Sequence, residues 1–173
     1  MKRILCLAVA FAMTAPAAFA HINFVTRDAA QKSTYKGVLG VGHGCDGAAT
    51  VKVTVRIPEG VIAVKPMPKP GWTIDIVMGP AAKAYDYYGA SVTEVVKEIV
   101  WQGGALPDAY YDEFAFRAYL TDALPVGSTV WFPVVQDCAT GKTEWTEIPA
   151  SAEAEEPEHP AAGLTITKPQ SGH

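Results

Sequence analysis

The chain has 173 residues, of which 49% are hydrophobic, and a formal net charge of −4 at pH 7. This length suits one domain with a real core. An acidic balance without a basic run excludes nucleic acid and anionic lipid as partners.

The first twenty residues have the layout of a secretory signal peptide. A basic start is followed by an apolar run from Ile4 to Met13 and by a small-residue ending, Ala18-Phe19-Ala20. The run is short for a membrane span, and the ending matches an A-x-A cleavage site. An uncleaved anchor is the alternative, which the polar and proline residues after the run disfavour. We expect residues 1–20 to be removed, so that Cys6 is lost and His21 becomes the first residue of a periplasmic or secreted protein.

The remaining chain carries two cysteines, Cys45 and Cys138. In an exported protein such a pair predicts a disulfide, which would close a long loop and stabilise the fold by about 4 to 5 kcal/mol. A soft metal site of both thiolates with His43 is the alternative, and it requires reduced sulfur outside the cytoplasm. We expect no transmembrane segment in the mature chain, because no second apolar stretch is long enough to span a bilayer.

Seven segments predict β-strands because they are rich in β-branched and aromatic residues. In chain order they are Thr34–Val41, Thr50–Ile57, Trp72–Val77, Ser91–Trp101, Glu113–Leu120, Ser128–Val135 and Lys142–Ile148. In the second segment, Val51, Val53 and Val55 fall on one face and polar residues on the other. Predicted turns, including Gly79-Pro80 and Gly103-Gly104, separate the segments. The pattern predicts an all-β sandwich, and the lack of βαβ alternation argues against a parallel sheet.

We predict that this domain spans residues 21–150, and two further segments have a distinctive composition. Prolines at every other position in Val64–Trp72 remove hydrogen-bond donors and predict a stiff crossing between sheets. Residues 151–173 begin with an acidic run and predict a partly flexible C-terminal extension, in which Gly163–Thr167 could dock as an edge strand.

Motifs of hydrolases, nucleotide-binding proteins and zinc proteases are missing from the sequence, so we do not expect an enzyme. The most reactive feature is the expected N-terminus at His21. Its α-amine and imidazole Nδ1 can chelate one metal, and two nitrogens suit Cu(II). Since the amine must lose a proton, binding should weaken as pH falls.

Other ligands must complete such a site. The candidate carboxylates are Asp112, Glu113, Glu144 and Glu147, and the other imidazoles are His43, His159 and His173. Asp112 and Glu113 are neighbours on one strand, so they point to opposite faces. The three histidines lie in a Gly-rich loop and in the tail, where we expect them to be exposed.

Several motifs in one order resemble the YcnI-type copper-binding domain family over residues 21–149. They are HINF, HGCDG, VRIPEGV, PMPKPGW, DEF, WFPVVQDC and EWTEIP. The resemblance implies an exported immunoglobulin- or fibronectin-like β-sandwich that binds Cu(II) through an N-terminal monohistidine brace, often encoded beside other copper-handling proteins.

Carried onto this chain, the resemblance implies that His21 is the brace histidine, that Glu113 completes the site and that Trp145 lies close to the metal. Glu147 is the alternative carboxylate, and Trp131 and Trp101 are the alternative tryptophans. The HGC and QDC elements also support a disulfide between Cys45 and Cys138.

The implied function is Cu(II) binding and handover, as a metallochaperone or buffer that serves another exported copper-handling protein. Two alternatives belong to other classes. One is a copper-dependent oxidase or monooxygenase-like enzyme, which is disfavoured because no strand carries an obvious second histidine. The other is an exported scaffold sandwich that binds no metal.

Overall fold

Twelve β-strands and no α-helix form in the described part of the chain, so the all-β prediction is confirmed. The computed structural model describes residues 21–151, 154–155 and 157–169; the predicted signal peptide and His173 lie outside them. The strands are β1 Asn23–Phe24, β2 Asp28–Ala30, β3 Ser33–Val41, β4 Thr50–Arg56, β5 Val61–Pro66, β6 Thr73–Tyr87, β7 Ala90–Leu106, β8 Asp112–Leu120, β9 Thr129–Phe132, β10 Val134–Cys138, β11 Lys142–Trp145 and β12 Ala162–Thr167. Among these residues, none forms a helix of the length and apolarity needed to cross a membrane.

The strands form three sheets around one main core. Their orders are β1-β3-β8-β5, β11-β10-β4-β7-β6 and β2-β12-β9. The predicted alternation in β4 is confirmed at Val53 and Val55, which are fully buried, but not at the start of the strand, where Thr50 is fully buried and Val51 is half-buried beside a register shift. The ring centroids of Trp101 from β7 and Phe114 from β8 are 5.6 Å apart. Through such contacts in the core, the five-stranded sheet packs against the four-stranded one as a sandwich.

The predicted strand Ser128–Val135 is two strands that belong to different sheets. β9 ends at Phe132 and pairs with β12, whereas β10 begins at Val134 and pairs with β4. Pro133 lies between them and has no N–H for a ladder, although its carbonyl accepts a hydrogen bond from Arg56 N at 2.9 Å. The chain therefore changes sheets at this proline.

The predicted turns at Gly79-Pro80 and Gly103-Gly104 are wrong, because both pairs lie inside the long hairpin of β6 and β7. The hairpin turns instead at Tyr88-Gly89, where both residues have positive φ. A Cβ on Gly104 would lie 2.2 Å from the Trp72 ring, so this glycine makes room for packing. Turn-forming residues thus mark irregular positions within continuous strands.

The proline-rich segment crosses between sheets, as predicted. Residues 67–72 connect β5 of the four-stranded sheet to β6 of the five-stranded sheet, although Val64–Pro66 belong to β5 itself. Trp72 packs edge-on against Phe114 with ring centroids 4.9 Å apart, which secures the end of the crossing.

The tail contributes a central strand rather than an edge strand. β12 lies between β2, with which it runs parallel, and β9. Its residues Ala162, Leu164 and Ile166 are fully buried. The strand predicted at the edge, within a C-terminal extension, therefore lies in the core of the fold instead.

Candidate metal site around Trp145

Trp145 is the last residue of β11, and its buried indole has a fixed orientation. The indole Nε1 donates a hydrogen bond to Gln136 Oε1 at 3.0 Å. The fully buried Gln136 amide in turn donates from Nε2 to Thr50 Oγ1 and to His43 O, each at 2.7 Å. One satisfied amide therefore links the indole to the loop between β3 and β4.

Three imidazoles surround this indole. The ring centroid of His21 lies 5.8 Å from that of Trp145, and the centroid of His43 lies 6.0 Å from it, both in edge-on geometry. His159 stacks on the indole at 5.3 Å with an interplanar angle of 27°. The structure thus brings Trp145 against His21, whereas Trp101 lies in the core of the sandwich.

His43 and His159 are half-buried beside Trp145, contrary to the expectation that both are exposed. Gly-rich loops and tails usually expose their histidines, but these two contact Trp145. For His43, the sequence contained one usable signal: Cys45 lies two residues away, and its disulfide partner Cys138 lies seven residues before Trp145.

Cys45 and Cys138 form the predicted disulfide, with their Cα atoms 5.9 Å apart. The bond ties the loop between β3 and β4 to the end of β10. Because both sulfurs are used in it, the alternative thiolate site with His43 is not formed.

Glu113 lies on β8 in register with Gly40 of β3, which is itself in register with Asn23 of β1. The Glu113 carboxylate contacts Tyr111, whose hydroxyl donates a hydrogen bond to Glu113 Oε1 at 2.9 Å. Desolvation, followed by this hydrogen bond and the charge of Glu113, raises the pKa of Tyr111. The phenol therefore keeps its proton at neutral pH and remains a donor.

The other candidate carboxylates have separate partners. Asp112 forms an ion pair with Lys69 Nζ at 2.6 Å, and the Lys142 hydrogen bond to Glu144 lowers the pKa of that exposed carboxyl. Glu147 Oε2 accepts a hydrogen bond from His159 N at 2.8 Å. Among the described residues, no three His, Cys, Asp or Glu side chains form a group that could hold a metal.

The nitrogen donors of a terminal His21 fit Cu(II). Imidazole and amine nitrogens with a carboxylate or water oxygen are the donors that tetragonal Cu(II) accepts. The half-buried position of His21 against Trp145 limits the directions from which water can approach.

Comparison with one solved structure agrees with the fold. An uncharacterized protein from Nocardia farcinica with an immunoglobulin-like fold has a TM-score of 0.63 and 24% identity, over 85% of this chain and 98% of that chain. A cohesin from the scaffoldin B of Acetivibrio cellulolyticus, solved with a dockerin, has a TM-score of 0.38 and 10% identity over 84% and 97%. No curated protein sequence matches significantly.

The family comparison covers most of the chain, since residues 21–166 match the model of a domain of unknown function, DUF1775. The immunoglobulin-like sandwich predicted from the sequence is confirmed by the all-β structure and the Nocardia neighbour. The chain belongs to the DUF1775 family, the family of the YcnI-like proteins.

Proposed function

We propose that the mature protein is an exported Cu(II)-binding protein that handles copper as a metallochaperone or buffer, without catalysis. The observation that supports this most is the contact of His21 with Trp145, at 5.8 Å between ring centroids. A chain cut after Ala20 would carry its α-amine on His21, two residues before β1 begins. The chelating amine and imidazole would then lie beside a buried indole.

In this proposal, the residues around His21 hold the ion and shield it on one side. His21 provides its α-amine and Nδ1, and Trp145 excludes water from the side that it covers. Glu113 is the proposed carboxylate, as the family resemblance implies, and the Tyr111 hydroxyl that donates to its Oε1 lies over Gly40, between Glu113 and Asn23 in the sheet. Glu147 remains the alternative. Copper is the cargo, and an open coordination position would allow transfer to another exported copper-handling protein.

An exported location is supported by two observations besides the signal layout. The family match begins at residue 21, where cleavage is expected. The disulfide of Cys45 and Cys138 suits an oxidising compartment such as the periplasm.

A copper-dependent oxidase is the second candidate, and one observation favours it. The sequence offered no strand-borne second histidine, but His43 contacts the same indole as His21, at 6.0 Å. Oxygen uptake by the copper-loaded mature protein in the presence of ascorbate separates the two functions. A carrier should consume oxygen more slowly than the same concentration of free copper, and an oxidase should consume it faster.

The decisive experiment compares three forms of the chain that begins at His21: unmodified, acetylated on the α-amine, and His21→Ala. Competition titration against a Cu(II) chelator should give an affinity at least about tenfold weaker for the last two, since each lacks one nitrogen of the chelate. The intact mass of exported protein checks the cleavage site. Equal affinities of the three forms would reject the proposal in favour of a scaffold that binds no metal specifically.

A further inference from the structure

We infer that His43 is a second imidazole ligand to the Cu(II) ion held by His21. The inference rests on the proposed function, because it needs a metal at His21. It adds a residue from the loop between β3 and β4 and makes the site richer in nitrogen than a brace completed by a carboxylate alone.

The sheet register brings the two histidines to the same end of the four-stranded sheet. β1 and β3 are antiparallel, and Asn23 pairs with Gly40. Residues that precede Asn23 therefore run beside residues that follow Gly40. His21 and His43 lie on these two segments, and both meet the Trp145 ring edge-on, at 5.8 and 6.0 Å.

The tautomer of His43 suits a metal ligand. Its Nδ1 lies 2.6 Å from Gly44 O. A carbonyl oxygen only accepts hydrogen bonds, so the neutral ring carries its proton on Nδ1 and keeps the Nε2 lone pair for another partner. Metal-bound histidines commonly have this arrangement, in which a backbone carbonyl orients the ring and makes the ligating nitrogen more basic.

The loop that carries His43 is held on several sides before any metal binds. His43 O accepts the Gln136 amide, and Gly44 N donates to Asp108 Oδ1 at 2.8 Å. A Cβ at Gly44 would lie 1.8 Å from Ala48 O, so the loop closes too tightly there for any other residue. The disulfide at Cys45 fixes the next position. A ligand restrained in this way loses little freedom on binding.

The other imidazole beside Trp145 is less suited to share the ion. The His159 ring contacts the same indole but stacks nearly parallel to it. The main-chain N–H of His159 donates a hydrogen bond to Glu147. His159 is therefore the matched control: an imidazole at a similar distance from Trp145 that the inference leaves out of the site.

Pulsed electron paramagnetic resonance tests the inference, because it detects the remote nitrogens of imidazoles bound to Cu(II). The Cu(II)-loaded mature protein should show two imidazoles, His43→Gln should show one, and His159→Gln should still show two. Competition titration should give a Cu(II) affinity at least about tenfold weaker for His43→Gln and unchanged for His159→Gln. An unchanged spectrum and affinity in His43→Gln would overturn the inference.

The failure of the inference and that of the proposed function can be told apart. If His21→Ala loses tight binding but His43→Gln does not, only the role of His43 is wrong; if neither loses it, the proposed function is wrong as well. Nitrogen NMR of the metal-free wild type, at alkaline pH where imidazoles are neutral, avoids any folding defect of the variant. The inference requires a proton on Nδ1 of His43, and a proton on Nε2 would contradict it.

Discussion

Gln136 is the residue on which the candidate site depends most. Its side chain is fully buried and uses its oxygen for Trp145 and its nitrogen for His43 and Thr50. A buried amide that lost one of these partners would leave a polar atom unsatisfied, at a cost of about 1 to 3 kcal/mol. The indole and the His43 loop are therefore held in one arrangement.

The proposed role of Glu113 is a prediction at the same scale. Glu113→Gln removes the negative charge but keeps the shape of the side chain, so continuous-wave electron paramagnetic resonance of the Cu(II)-loaded protein should show altered g and hyperfine values. Glu144→Gln is the control, because Glu144 is exposed and paired with Lys142. An unchanged spectrum in Glu113→Gln would transfer the role to Glu147 or to water, and Glu147→Gln distinguishes these two.

At the scale of elements, the candidate site is formed by residues at or near the ends of four strands. His21 precedes β1, His43 follows β3, Trp145 ends β11 and His159 precedes β12. The parallel bridge between Glu147 and Pro160, with Thr146 N and Glu147 N both bonded to His159 O, joins the last two ends. Side chains at strand ends escape the strict alternation of a sheet, which allows four of them to converge.

A prediction about stability belongs to this scale, because the disulfide joins the loop after β3 to the end of β10. Its cysteines are 93 residues apart, and closing a loop of that length is expected to stabilise the fold by about 4 to 5 kcal/mol in the chain-entropy model. The Cys45→Ala, Cys138→Ala double variant should therefore unfold at a lower urea concentration in the metal-free state. Intact-mass analysis after alkylation provides the control, and two alkylated thiols in the exported wild type would contradict the prediction.

At the scale of the whole molecule, the sandwich has a main core and a smaller cluster beneath the far half of the β6–β7 hairpin. That cluster contains Ile62, Tyr85, Val95 and Tyr119. Tyr87 packs edge-on against Tyr119 at 5.2 Å between ring centroids. The hairpin therefore has apolar support beyond the main core, which explains how strands of 15 and 17 residues remain ordered.

Buried phenols make the whole fold sensitive to alkaline pH. Burial, with a smaller effect of Asp28, raises the pKa of Tyr35, whose hydroxyl donates to Thr26 O at 2.7 Å. Because the folded pKa lies above the unfolded one, this stability is complete below about pH 10 and is lost as pH rises towards the folded pKa. Urea unfolding should show a falling free energy of unfolding above pH 10, with a shallower slope in Tyr35→Phe. Tyr110→Phe, at an exposed ring, is the control; equal slopes for the three proteins would contradict the prediction.

The sequence by itself determined the strands whose residues alternate and the disulfide pair, whereas Trp145 became a candidate neighbour of His21 only through the family resemblance. Local patterns suffice for the strands and the disulfide, because side-chain alternation and the cysteine count need no knowledge of distant contacts. Gly79-Pro80 and Gly103-Gly104 were misread because the same residues that form turns also allow bulges and close packing inside a strand. The change of sheet at Pro133 was missed for a similar reason, since an apolar run looks the same on both sides of the proline.

Only the tertiary structure decided which groups surround His21. His43 lies 102 residues before Trp145, and His159 lies 14 residues after it. The three residues meet through the β1–β3 register, the Gln136 amide and the bridge at Pro160. These contacts are non-local, and the residue types that make them are common in exposed loops. A linear pattern could therefore propose the chelating N-terminus but not the imidazoles gathered around the indole, which depend on how the strand ends come together.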